Sequence, residues 1–371
     1  MEQDLILEGK AKIAKSESIF YNPHMQFNRD LSSLAVGATK SIIPSLQVCD
    51  GMSASGIRGI RYALENENVD KITFVDGDQA ACDFISQNVN LNGLEDKSTV
   101  LTDDINHHLN RGGVRYTFVE LDPFGSPVPY LRTALINLRP SKKGILSVTA
   151  TDTAVLCGAH HKACLINYCA RPMHNYLCHE VGLRILIGHI ARVAAPLHLG
   201  IVPLFSLSKR HYMKVILLVK KSSESAFESV SQLGYVSFCP KCLETKVSRK
   251  PNLPANCEKC SIPTEWAGPL WLGKIYDDSI LEGMSKLNDG REYPNKKQIS
   301  SLLETMKSES DMPMLYYDLH AIADHFNMPC HSFDETISRL QKKGFSVSRT
   351  HFNQTAIKSD ASIADVLEAL K

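Results

Sequence analysis

Leu46-Gln47-Val48-Cys49-Asp50-Gly51-Met52-Ser53-Ala54-Ser55-Gly56-Ile57-Arg58-Gly59 opens on a short apolar run, passes through small residues and ends in a helical pattern. That order reads as a strand feeding a glycine- and serine-rich turn into a helix. Small side chains let backbone N–H groups approach a ligand closely at the positive end of the helix. The turn is neither G-x-G-x-x-G nor G-x-x-x-x-G-K-[ST], which disfavours a dinucleotide or a nucleoside triphosphate. A plain strand–helix turn could carry the same residues, so this stretch points to the fold before it points to a ligand.

Outward from it, short apolar runs alternate with helical patterns. The periodicity predicts strands over 46–50, 71–75, 99–101, 116–121 and 144–149, and helices around 57–66, 78–91, 104–110 and 127–138. Alternation at this spacing predicts an α/β fold whose mainly parallel sheet is covered on both faces. Right-handed crossovers then place the strand C-termini along one edge, where open α/β sheets bind ligands. Asp50, Asp76, Asp103 and Asp122 all fall at or just after predicted strand ends. Further on, 177–195 reads as an apolar helix, and 199–207 with 211–220 as two strands in a hairpin-like arrangement. A boundary is expected near 220–225, dividing the chain into domains over 1–225 and 226–371. In the second, helical patterns at 296–308, 315–327 and 333–343 precede a short strand at 345–349. These are the parts of a winged-helix-like α+β module, a frequent nucleic-acid binder, and also of many small α+β lids.

A chain of 371 residues is long enough for two domains. No apolar run approaches the ~20 residues that span a bilayer, and the start of the chain has no secretory apolar segment. A cytoplasmic protein is expected. The eleven cysteines are not spaced as a small secreted disulfide scaffold, which favours a reducing compartment. The net charge of +1 hides an uneven distribution. Residues 151–240 hold nine Lys and Arg against four acids, and seven of the fourteen histidines. A basic middle suits phosphate contacts, although scattered solvated charge would give the same count.

The strand-end acids narrow the ligand. Asp76, about a helix and a strand beyond the turn, is placed to accept hydrogen bonds from two ribose hydroxyls. Asp103 and Asp104 follow the third strand, where a carboxylate can receive an adenine amine. Any one of these acids could instead be a helix N-cap. Together with Asp50 they suit a cofactor with ribose, adenine and a cationic centre but no phosphates, and S-adenosylmethionine fits that description. After the fourth strand comes Glu120-Leu121-Asp122-Pro123-Phe124-Gly125-Ser126-Pro127. An exocyclic base amine is a poor nucleophile because its lone pair is delocalised into the ring. Hydrogen bonds to a carboxylate and a carbonyl localise that pair and stabilise the charge that develops on nitrogen. Asp122 is the expected acceptor and proton sink, Pro123 fixes the turn and offers its carbonyl, and Phe124 can stack on the base.

Several stretches together resemble the tRNA guanine-26 N2-dimethyltransferase family. They are Tyr21-Asn22-Pro23-His24-Met25-Gln26-Phe27-Asn28-Arg29-Asp30, residues 53–61, 122–127 and 149–160, Leu177-Cys178-His179-Glu180, Gly268-Pro269-Leu270-Trp271 and Arg349-Thr350-His351-Phe352. The resemblance runs from about residue 20 to 358. It implies a Rossmann-like methyltransferase sheet over 1–225, with cofactor residues at Arg29, Arg58, Asp76 and the segment Asp103, Asp104, Ile105. It also implies a catalytic Asp122, with Phe20 and Phe124 holding the base. Family members often have a small residue where Ile105 stands, which departs from the pattern at the adenine contact. The implied reaction is two successive methyl transfers to one guanine N2 in tRNA, with the base flipped out of its stack. No obligate protein partner is evident. The Asp-Pro-Phe turn by itself is equally compatible with an amino-methyltransferase acting on another RNA or on DNA. A non-catalytic nucleic-acid-binding protein with a degenerate sheet is a further reading, which the intact Asp76 and Asp122 oppose.

Cys239-Pro240-Lys241-Cys242 and Cys257-Glu258-Lys259-Cys260 are two CxxC pairs separated by fourteen residues. Four thiolates at this spacing suit a tetrahedral structural Zn²⁺ in a knuckle inserted over 239–260, rather than a catalytic zinc with an open position. Cys157, His160, His161 and Cys164 have passable ligand spacing but read better as a substrate-side loop. His179 and His189 read as core histidines.

Overall fold

Seven strands build one mixed sheet: β1 (Leu46–Gly51), β2 (Val69–Asp76), β3 (Ser98–Thr102), β4 (Phe118–Leu121), β5 (Lys143–Ala150), β6 (Leu199–Lys209) and β7 (Tyr212–Lys221). A computed structural model describes residues 5–138, 143–329 and 332–371. The spatial order is β3-β2-β1-β4-β5-β7-β6. The first five strands run parallel, and β7 lies antiparallel to both β5 and β6. The five strands expected for the parallel part are present, with ends shifted by at most two residues. The hairpin expected near 199–220 completes the sheet at its far edge.

The central strands are apolar because both faces are covered. All four residues of β4 are buried, although one of them, Glu120, is a carboxylate. Helices α1 (Gln26–Ala38), α2 (Ile57–Glu65), α3 (Gln79–Leu91), α4 (Ile105–Arg111) and α5 (Val128–Leu138) cover the parallel half. Short helices α6 (Thr153–Leu156) and α7 (His161–Tyr168) lead into α8 (Cys178–Ala194). Helix α8 is buried along most of its length, including Arg184 and His189. An antiparallel hairpin, Leu5–Glu8 with Ala11–Ala14, and helix α1 precede the sheet. Sequence periodicity did not anticipate either.

Beyond α9 (Ser223–Ser231), strands β8 (Leu233–Phe238), β9 (Thr245–Ser248) and β10 (Glu265–Trp271) form a small antiparallel sheet in the order β9-β8-β10. Helices α10 (Asp278–Asp289) and α11 (Lys296–Glu309) follow. The expected helix over 315–327 is corrected to a strand, β11 (Tyr317–Asp318), and a shorter helix, α12 (Leu319–His325), whose first turn is capped by the Asp318 carboxylate. Helix α13 (Phe333–Lys342), strands β12 (Val347–Arg349) and β13 (Ala356–Ser359) and helix α14 (Ile363–Leu370) complete the chain. The strands pair as β11-β13-β12. Helices beside a three-stranded wing match the winged-helix-like parts expected.

Helix α10 packs on α1, and Arg291 just beyond it donates to Ser33 Oγ, Asn66 Oδ1 and the Glu65 carbonyl. Arg184 of α8 donates to the carbonyls of Trp271 and Gly273. The second half of the chain therefore braces the helices that frame the sheet's carboxyl edge. Among the described residues, no helix is long and apolar enough to cross a membrane.

Candidate active site

The loop between β1 and α2 is wound tightly. Met52, Ala54 and Gly56 all have positive φ, at 58°, 49° and 73°. Two non-glycine residues in the left-handed region store local strain, which is held where the surroundings over-determine it. Here Met52 N–H donates to the Val75 carbonyl, Ser53 Oγ to the Asp50 carbonyl, and Ala54 N–H to Asp76 Oδ2. Asp76 Oδ1 also accepts from Asp78 N–H at 3.0 Å. The carboxylate at the end of β2 thus latches the loop and stays half-exposed beside it. Gly59 has no room for a side chain: a Cβ there would lie 2.5 Å from the Phe74 ring and 2.8 Å from Asp50 Oδ2.

The loop, the start of α1, the Asp122 turn and the β6–β7 hairpin tip surround a cavity of about 1240 Å³. That exceeds the span usual for one small ligand, roughly 300–1,000 Å³, and leaves room for a nucleoside beside a second planar group. Of the residues singled out in the sequence, Phe20, Arg29, Asp50, Arg58, Asp76, Asp122, Pro123 and Phe124 line it. Asp50 does so with its carboxylate turned inward, accepting from Gly59 N–H at 3.0 Å and only 2% exposed. Burial and the nearby Glu120 charge push its pKa up to about 7.

Asp103, Asp104 and Ile105, expected at the adenine, lie after β3 and each has a partner within the protein. Asp103 pairs with His107 at 2.7 Å and with Arg111 at 2.9 Å. Asp104 is the N-cap of α4, accepting from His107 N–H at 2.9 Å. Ile105 is buried against Gly51.

Beneath the Asp122 turn lies a buried charge network. Arg58 bonds Asp122 through Nη2, and its Nη1 donates to Asn28 Oδ1 at 2.9 Å and Ser32 Oγ at 3.2 Å. Glu120 accepts from Tyr62 Oη at 2.9 Å and from Lys214 Nζ, which also donates to Thr149 Oγ1 at 3.2 Å. Burial alone would raise the Asp122 carboxyl. The Arg58 and Lys214 charges outweigh it and hold the group below the ordinary carboxylate range. Glu120 is likewise held down, Lys214 and then Arg58 overcoming its burial. Sequence reasoning missed Glu120 and Lys214. The available signal was a charged residue inside an apolar run of a strand covered on both faces, Glu120 in β4 and Lys214 in β7.

Arg29, 5% exposed, is clamped by Glu8 of the N-terminal hairpin at 2.7 and 2.5 Å, and Tyr21 Oη donates to the same carboxylate. At the cavity mouth Phe124 is 81% and Phe20 53% exposed, their ring centroids 5.0 Å apart and their planes edge to face. Two large apolar rings left in water at a cavity rim are a ready stacking surface. Behind them the 122–125 turn is pinned by Thr151: Gly125 N–H donates to Thr151 Oγ1 at 2.7 Å and Thr151 N–H to the Gly125 carbonyl at 3.0 Å.

The four cysteines of the knuckle come together with all sulfurs within 4.8 Å of one another. Both halves have the same local design. Cys239 and Cys257 N–H groups donate to the carbonyls of Glu244 and Ile262, and the residue after each second cysteine, Leu243 or Ser261, is left-handed. Cys242 and Cys257 Sγ are 3.6 Å apart. The donor set and its compactness fit a tetrahedral thiolate site. Cys157, His160, His161 and Cys164, whose spacing read better as a substrate-side loop, form no ligand group among the described residues; Cys157 lies with Cys178 and His179.

A sheet of this order, with a cavity at its carboxyl edge that has room for a nucleoside and a second planar group and an Asp-Pro-Phe turn in the cavity wall, defines a Rossmann-like methyltransferase. A family model described as N2,N2-dimethylguanosine tRNA methyltransferase matches residues 2–371, and the chain belongs to that family. A tRNA (guanine(26)-N(2))-dimethyltransferase from Pyrococcus abyssi is 38% identical over 97% of both chains. One from Methanosphaera stadtmanae is 32% identical over 100% of this chain and 97% of its own. The solved structure of Trm1 from Pyrococcus horikoshii in complex with S-adenosyl-L-methionine superposes with a TM-score of 0.89 at 35% identity, covering 99% of each chain.

Proposed function

We propose that this chain methylates the exocyclic N2 amine of guanine 26 in tRNA, twice, with S-adenosylmethionine as donor. The observation that carries this reading is the Asp122 turn. A carboxylate fixed by Arg58 sits in the cavity wall directly behind an exposed aromatic pair, where an extruded base can stack with its amine facing the acid.

The cavity residues suit the cofactor by chemistry: Asp76 for ribose hydroxyls, Arg29 for a carboxylate, and no phosphate cradle. When bound, the cofactor supplies an electrophilic methyl on a sulfonium. The chain's own residues do the rest. Phe20 and Phe124 hold the flipped base, at an unstacking cost of roughly a few kcal/mol. Asp122 accepts a hydrogen bond from the amine and draws its lone pair out of the ring as positive charge develops. An aryl amine that has just gained a methyl is strongly acidic, so even a carboxylate of lowered pKa can take its proton. Arg58 keeps Asp122 charged before the amine arrives. Exposed Arg210 and His211 at the cavity rim are suited to tRNA phosphates.

The four knuckle thiolates would hold a structural Zn²⁺ that stiffens the β8–β10 sheet without entering the chemistry. The division into a methyltransferase domain over 1–225 and a tRNA-binding part over 226–371 belongs to the same reading. A tetrathiolate site and a tRNA substrate support the cytoplasm as the working compartment.

The test is incubation of the protein with labelled cofactor and unmodified tRNA, beside the same tRNA with guanine 26 replaced. Label is expected only in the first, as N2-methylated and then N2,N2-dimethylated guanosine. Incorporation that ignores the replacement would sink the reading.

A further inference from the structure

Away from the cavity and the knuckle, a second set of ligand-type side chains converges. Cys157, at the C-terminal end of α6, meets Cys178 and His179, the first two residues of α8. One ligand atom from each lies within 4.8 Å of the other two. Cys157 is 8% exposed, and the other two are partly covered.

The spacing is that of a coordination site. A zinc–sulfur bond of about 2.3 Å and a zinc–nitrogen bond of about 2.0–2.1 Å at a tetrahedral angle separate S from N by about 3.6 Å. Cys157 Sγ and His179 Nδ1 are 3.7 Å apart. By the same reckoning two sulfurs on one zinc lie about 3.8 Å apart, and the knuckle's Cys242–Cys257 pair at 3.6 Å meets that measure similarly. The surroundings also match. In the knuckle the Cys242 amide faces Cys239 Sγ at 3.5 Å, and here the amides of Cys178 and His179 face the Cys178 sulfur at the start of a 17-residue helix. Ser208 Oγ lies 3.4 Å from the same His179 Nδ1 and is a further polar neighbour of the cluster.

We propose that Cys157, Cys178 and His179 form a second metal site, taking a thiophilic divalent cation of the zinc type with a water at the fourth corner. Binding replaces two S–H bonds with two metal–thiolate bonds and releases two protons to solvent. Its place in the fold gives it a role. Thr151, which pins the Asp122–Gly125 turn, lies two residues before α6, and a metal holding the end of α6 to α8 fixes that segment from behind.

The experiment uses the full chain, saturated with Zn²⁺, desalted and assayed for metal and for intact mass under native conditions. Cys157→Ser and His179→Ala should each hold one equivalent less metal than the unsubstituted chain. Cys239→Ser should lose a different equivalent, so that Cys157→Ser with Cys239→Ser loses both. Replacing Zn²⁺ with Co²⁺ should give a visible thiolate–metal absorption that Cys157→Ser reduces. If Cys157→Ser does not fold by circular dichroism, His179→Ala decides alone. Equal metal content in the folded variant and the unsubstituted chain would overturn the site. So would a Cys157–Cys178 disulfide found by peptide mapping of the metal-treated protein.

Discussion

At the scale of single residues, Asp122 and its supports form a chain of dependence. Asp122 relies on Arg58, Arg58 shares its charge with Glu120, and Glu120 relies on Lys214. Removing the acceptor should remove catalysis but not the fold. Asp122→Ala is expected to lower the single-turnover rate by ~10²–10³-fold, the scale set by deleting one preorganised electrostatic group. Cofactor affinity measured by titration should persist; turnover near that of the unsubstituted enzyme would take Asp122 out of the mechanism. Removing the deepest support should cost stability instead. Lys214→Met leaves Glu120 as a buried charge short of a cation, with an expected loss of ~3–5 kcal/mol in urea unfolding. Adding Glu120→Gln should recover much of it, because the stranded charge is then gone.

At the scale of elements, the parallel strands were legible because a strand buried on both faces has to be apolar, and the turns between them carry their own punctuation. The acids at strand ends were legible for the same reason: they stand out where the apolar run stops. What composition and period could not reveal was direction. Asp103 and Asp104 have the right position, yet one turns to Arg111 and the other caps α4. A helix start needs N–H acceptors whatever ligand is nearby, so position at a strand end does not by itself fix what a side chain bonds. Glu8 was invisible because its partners Arg29 and Arg61 are far along the chain. The knuckle was legible because CxxC spacing encodes its own geometry. Its prediction is local: Cys239→Ser or Cys260→Ser should release bound zinc. Each should also expose the 239–260 segment to proteolysis while α8 stays protected, as read by limited digestion and peptide mapping. Unchanged digestion would separate the knuckle from any stabilising role.

At the scale of the whole molecule, a second buried polar cluster joins the two halves. Lys358 of β13 reaches Glu180 of α8 at 2.9 Å, and Glu309 accepts from His351 Nδ1 at 2.5 Å, Thr350 Oγ1 at 2.6 Å and Tyr276 Oη at 3.1 Å. Burial would raise the Glu309 carboxyl, but His351 and Lys358 hold it down to about 2. A carboxyl depressed in the folded state stabilises fully above its ordinary value of 4.5 and loses that contribution as pH falls toward 2. Thermal unfolding should therefore show a loss of stability across that window. Glu309→Gln should flatten it, at the cost of a lower melting temperature at pH 7. A variant whose acid limb matches that of the unsubstituted protein would assign the limb to other carboxylates.

The placement of β7 between β5 and β6 also has a consequence in time. Glu120 and the lysine that neutralises it are 94 residues apart in the chain. At translation rates of about 5–20 residues per second, the ribosome needs roughly 5–20 seconds to make the second after the first. For that interval the nascent parallel half has a carboxylate in its central strand and no lysine to pair with it. Arg58, made earlier, already faces Glu120, but the network around that carboxylate is complete only once the returning hairpin has been synthesised.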